Sequence, residues 1–220
     1  MKQITQYFIL IIPILIDSCS PVTIVKPLEK KQKVVSAHLG GPMITFTGIP
    51  MPIPFSSLGL HYGINNRLTV GTNLGITSLA FGVFQLDPGI VYGIRNPKEI
   101  GQLGISAFAK THFMIDTWES NFRWYPELGG QVYKEWGKNL FYVGGSGWFE
   151  TRYPSQKRAA GNIWVPMAHF GYIRQKPKWN LTLEAKWIAP NISHENIVVD
   201  YIGISTQGAL GIYFGASRKF

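Results

Sequence analysis

The chain predicts an all-β fold: a closed antiparallel up-and-down transmembrane β-barrel of about ten strands, with eight as the smaller alternative. Three observations carry this. Of 220 residues, 45% are hydrophobic and 15% charged, against roughly 25% charged in an average soluble domain. Short segments alternate apolar with small or polar residues, a period of two that places successive side chains on opposite faces of a strand. The connections between those segments alternate between tight and long.

Residues 1–18 read as an export signal, with Lys2 as the basic start and Tyr7 to Ile16 as the apolar run. Ile16-Asp17-Ser18-Cys19 resembles a lipobox, which implies acylation of Cys19 at a new N-terminus. Cys19 is the single cysteine, so no intramolecular disulfide can form. The apolar run is short and broken by Pro13, which argues against a membrane-spanning helix. Residues 19–33 carry two prolines and clustered lysines and read as a tether without a packed element. The barrel is then residues 34–220.

The strands are expected at 34–46, 55–64, 67–76, 87–95, 101–114, 119–133, 139–150, 162–174, 179–189 and 200–219. Most reach the roughly 9–11 residues that a tilted membrane strand needs. Tight turns fall at Asn65-Asn66, Asn96 to Glu99, Trp136 to Lys138 and Gln175 to Lys178, where Asn, Gly and Pro supply the reversal. Longer loops fall at Gly48 to Pro54, Thr77 to Leu86, Ile115 to Trp118, Thr151 to Gly161 and Pro190 to Val199. Short turns on one rim and long loops on the other match transmembrane barrels, whose short turns face the periplasm. An even strand number returns both termini to that side.

Faces follow from the alternation. Leu68, Val70 and Leu74 oppose Thr69, Gly71 and Asn73. Leu103, Ile105 and Ala107 oppose Gly104, Ser106 and Lys110. Leu181, Leu183 and Ala185 oppose Thr182, Glu184 and Lys186. Turning the apolar sets to lipid keeps charges out of hydrocarbon, where each would cost about 2–4 kcal/mol at the midplane. Arg67, Lys110, Glu184 and Lys186 are therefore candidate lumen residues. They either form a charged lining that selects small anions or pair with one another as a polar plug. Trp118, Trp124, Tyr125, Trp136, Trp148, Trp164, Trp179 and Trp187 lie near strand ends, where aromatic girdles form.

The net charge is +9. An exported chain does not meet nucleic acid in the ordinary course, so anionic lipid and surface polysaccharide are the expected counter-charges. Arg152, Lys157 and Arg158 form a candidate loop for lipopolysaccharide phosphates. His38, His61, His112, His169 and His194 show no metal-ligand spacing, and no cofactor is expected. Ser193, His194 and Glu195 adjoin in sequence, but a catalytic triad needs convergence in space.

Leader, lipobox-like cysteine, alternating strands and aromatic terminus together resemble small outer-membrane β-barrel proteins of diderm bacteria, some of them lipoproteins. The resemblance implies membrane residence and insertion by barrel-assembly and lipoprotein-export machinery, with Phe214 and Phe220 as candidate assembly signals. It implies outer-membrane lipid and lipopolysaccharide as partners, and leaves substrate and oligomeric state open. The expected role is a non-enzymatic, porin-like narrow pore or a structural or interaction protein of the envelope. Two alternatives remain: a soluble, lipid-anchored, lipocalin-like barrel binding an apolar ligand, and a lipid-modifying enzyme at the outer rim.

Overall fold

The computed structural model describes residues 24–97, 99, 101–149, 151, 164–195 and 199–220. The leader, the expected lipidation site Cys19, and the expected anion-binding residues Arg152, Lys157 and Arg158 lie outside the described residues.

Eleven strands occur in chain order: β1 (Lys33–Phe46), β2 (Ile49–Pro52), β3 (Phe55–Asn65), β4 (Leu68–Gly75), β5 (Val83–Arg95), β6 (Leu103–Asp116), β7 (Phe122–Trp136), β8 (Asn139–Phe149), β9 (Trp164–Gln175), β10 (Trp179–Ser193) and β11 (Gln207–Lys219). Ten of them form a cylinder. Each strand from β3 to β11 pairs antiparallel with the next, β3 pairs with β1, and β11 returns to β1. That seam runs from Val34↔Lys219 to Pro42↔Gly211, so the cylinder closes without a free edge. The remaining strand, β2, folds back on the end of β1 as a flap, from Met43↔Pro52 to Phe46↔Ile49.

The tight turns lie at one end. Asn65 accepts from the amides of Arg67 and Leu68 at 2.8 and 2.9 Å, an Asx-type reversal. Between β7 and β8, Gly137 takes φ +61°, which a two-residue hairpin turn demands. At the other end, Thr47 and Gly48 both adopt positive φ, so Gly48 to Pro54 begins as a hairpin rather than an open loop. One helical turn, α1 (Ile76–Ala80), joins β4 to β5. β5 starts four residues before the sequence suggests, and the last strand starts seven residues later, leaving residues 199–206 in the preceding loop.

The faces divide as the alternation requires. Leu58, Leu60, Ile90, Leu128, Val143, Leu183 and Phe214 point outward and are exposed, and Phe170, mid-strand on β9, is 60% exposed. Ser36, Thr69, Asn73, Gln85, Ser106, Gln131, Glu184 and Lys186 are buried inside. A closed cylinder with this pattern is stable only when its outer surface meets lipid. Exposed aromatics gather near the two rims: Trp118, Phe122, Trp124 and Trp164 toward the long loops, Tyr62, Tyr92, Trp136 and Trp179 toward the tight turns. Tyr125 and Trp148 depart from the expected girdle. Both are buried in the lumen and stack at 6.1 Å between ring centroids, because their strand parity matches that of inward Glu127 and Ser146.

Candidate functional site

Charge pairing fills the middle of the lumen. Lys110 on β6 lies 3.0 Å from Glu127 on β7. His112, two residues along the same inward face, places Nε2 3.0 Å from Glu127 and Nδ1 2.9 Å from Asp87 on β5. Gln85 donates to both Asp87 oxygens, and Ser78 in α1 donates to Gln85 at 2.6 Å. The indole of Trp148 donates to Glu127 at 3.2 Å. Each carboxylate therefore meets several donors, the condition under which buried charge is tolerated.

A second group sits on the opposite arc. Glu184 is fully buried, accepts from the Tyr142 hydroxyl at 2.6 Å and lies 3.4 Å from Lys186. The Lys186 ammonium also stands 5.1 Å over the Tyr213 ring, a favourable cation–π placement.

A third component carries no signal in the sequence. Residues 24–32 read as a tether, yet Ile24, Val25 and Leu28 are buried within the barrel. Lys31 takes φ +67°, a reversal that turns the chain from the β1 wall into the lumen. Val25 packs in a nest of Phe108, Tyr133, Leu140, Tyr142 and Ile173. Its carbonyl accepts from Ser106 at 2.5 Å and Gln131 at 2.9 Å. The Leu28 amide donates to Thr69, the Lys30 amide to Asn66 and the Lys31 amide to the Gly63 carbonyl. Lys26 pairs with Glu135. The segment thus closes the lumen at the tight-turn end. A small cavity of about 50 Å³ lies beside His61, Thr69, Asn73, Asp87, Phe108 and Lys110, room for a few waters.

Of the four candidate lumen residues, Lys110, Glu184 and Lys186 face inward and are ion-paired. Arg67 is a correction: it is exposed in the turn before β4, beyond the last inward position of the strand. Phe214 points outward, while Phe220 is exposed and its amide bonds the Lys33 carbonyl at 2.9 Å. His194 hydrogen-bonds the Gly208 carbonyl at 2.6 Å, and its neighbour Glu195 is exposed, so Ser193, His194 and Glu195 do not converge as a triad. Among the described residues, no group of three or more His, Cys, Asp or Glu is placed to hold a metal ion. No helix there is long and apolar enough to cross a membrane.

A closed antiparallel cylinder, oily outside, ion-paired inside, with tight turns at one end and longer loops at the other, is a β-barrel of the outer-membrane type. No protein-family model matches the chain, and no curated protein matches it in sequence. Among solved structures it is similar to an outer membrane channel from Pseudomonas putida F1, at 12% identity and a TM-score of 0.46 over 92% of this chain and 100% of that one. It is similar to the translocator domain of autotransporter NalP from Neisseria meningitidis, at 9% identity and 0.42 over 100% and 95%. The outer membrane protein OprG from Pseudomonas aeruginosa aligns at 8% identity and 0.32 over 90% and 99%. These likenesses are loose, and the class rests on the barrel's own geometry.

Proposed function

We propose that the protein is a non-enzymatic β-barrel of the bacterial outer membrane, anchored further by a lipid on Cys19, with both termini periplasmic and its lumen closed at rest. In this reading it serves the envelope as a structural or interaction protein. The observation that carries the closed state is the seating of Val25 among Phe108, Tyr133, Leu140, Tyr142 and Ile173. The pairing of Lys110 with Glu127 and of Lys186 with Glu184 supports it, because paired charges attract a passing ion less than free ones do.

Planar-bilayer recording of the full inserted chain tests this, with almost no steady conductance expected. Steady open currents would replace the closed reading with that of a narrow pore, which the small cavity beside Lys110 favours as the second reading. Mass spectrometry of the mature N-terminus, seeking an acylated Cys19, tests the anchor independently.

A further inference from the structure

The basic residues look scattered along the sequence, but folding gathers most of the described ones at one end. Every tight turn carries at least one exposed cation: Arg67 before β4, Arg95 after β5, Lys138 before β8 and Lys178 before β10. Among the described residues at that rim, only Glu29, Glu99 and Glu135 have acidic side chains, and Glu135 is engaged by Lys26. The long-loop rim has the opposite balance, with Asp116, Glu119, Glu195 and Asp200 against Arg123 among the described residues. Among the described residues, the excess charge is therefore polarised along the barrel axis.

Four further cations at the tight-turn rim occupy a more specific position. Lys33, Lys134, Arg174 and Arg218 are exposed and share strand parity with outward Val35, Val132, Phe170 and Phe214. They lie on β7, β9, β11 and β1, along the arc of wall that runs from β7 through β11 to the seam, at the tight-turn ends of those strands. Aromatics accompany them. Lys33 pairs across the ladder with Tyr62, and Arg218 pairs with Trp179. The Arg218 guanidinium lies 5.6 Å from the Trp179 ring and 4.9 Å from the Phe220 ring. Trp and Tyr girdles mark the headgroup level of a bilayer, so these cations stand at phosphate depth and point sideways, away from the lumen.

We propose that the tight-turn rim is a binding surface for the phosphodiester headgroups of anionic glycerophospholipids. An arc of outward cations at girdle height matches phosphates lying beside the barrel wall, whereas a soluble partner would be met by a patch on the turn tips. The assignment rests on the transmembrane reading and adds the leaflet: the tight turns face the glycerophospholipid side.

The test uses the full chain in phosphatidylcholine vesicles doped with spin-labelled phosphatidylglycerol or spin-labelled phosphatidylcholine. Insertion is checked separately by heat-modifiable migration. The expected result is about threefold stronger association of the anionic lipid at low salt, falling toward equality in 1 M salt as screening shortens to about 3 Å. Replacing the girdle set (K33Q, K134Q, R174Q, R218Q) should abolish the preference, while replacing turn-tip lysines (K138Q, K176Q, K178Q) should keep most of it. An inserted barrel with no lipid preference, or one that loses it only in the turn-tip variant, overturns the proposal. So does retention of a soluble polyphosphate by the detergent-held barrel without any lipid preference. A chain that never inserts overturns the transmembrane reading first, and this one with it.

Discussion

The Ser106 hydroxyl donates to the Val25 carbonyl at 2.5 Å across 81 positions of sequence, pinning the segment ahead of the first strand to the inner wall of the sixth. Burial of the Val25 side chain at 2% exposure reinforces the hold. Replacing Val25 with Asp would press a carboxylate into that apolar nest, at a cost of several kcal/mol. The segment should leave the lumen while the cylinder persists. Hydrogen exchange checks this: the amides of Leu28 and Lys31 should lose protection by at least about tenfold, with β6 and β7 unchanged.

Removing one partner of a buried pair leaves the other stranded. Lys110→Met should destabilise the folded barrel by about 3–5 kcal/mol, because Glu127 keeps His112 and Trp148 but loses its ammonium. Adding Glu127→Leu should recover part of that loss. Urea titration in vesicles, followed by heat-modifiable migration, measures both. Purely additive effects would show that the two residues do not interact.

Tyr142→Phe deletes only the hydroxyl that donates to Glu184 at 2.6 Å. A hydrogen bond to a carboxylate contributes about 1.5–3 kcal/mol, and the same titration should show a loss of that size with unchanged migration of the folded form.

The exterior can be tested separately from the lumen. Phe170 stands mid-strand, flanked across the ladders by Val143 and Ala185. Phe170→Lys should cost about 2–4 kcal/mol in a bilayer, and Trp136→Lys at the rim markedly less. A water-soluble barrel would tolerate both equally, so this comparison also decides against the ligand-carrying alternative.

Much of this architecture was legible because a strand's period is short and local. The opposition of Leu183 to Glu184, or of Leu74 to Asn73, follows from two adjacent letters, and Asn65-Asn66 announces its own turn. The missed elements depend on distant partners. Ile24, Val25 and Leu28 sit between lysines and prolines, and nothing nearby shows that Phe108 and Tyr133 leave a hollow for them. Tyr125 and Trp148 carry the composition of a girdle, yet parity with Glu127 sends them inward, where the carboxylate needs the indole donor. Arg67 misleads because the turn ends the alternation one residue before β4 begins. The pairing of Lys110 with Glu127 required knowing the β6–β7 register, which no single strand encodes.

The β1–β11 seam joins the first long strand to the last. Until β11 has been made, the wall cannot zip shut, so closure has to await that strand rather than proceed strand by strand as the chain emerges. Because the occluding stretch directly precedes β1, it has to be tucked in during that last step or thread itself afterwards through the narrow mouth, which sets an order of events for biogenesis.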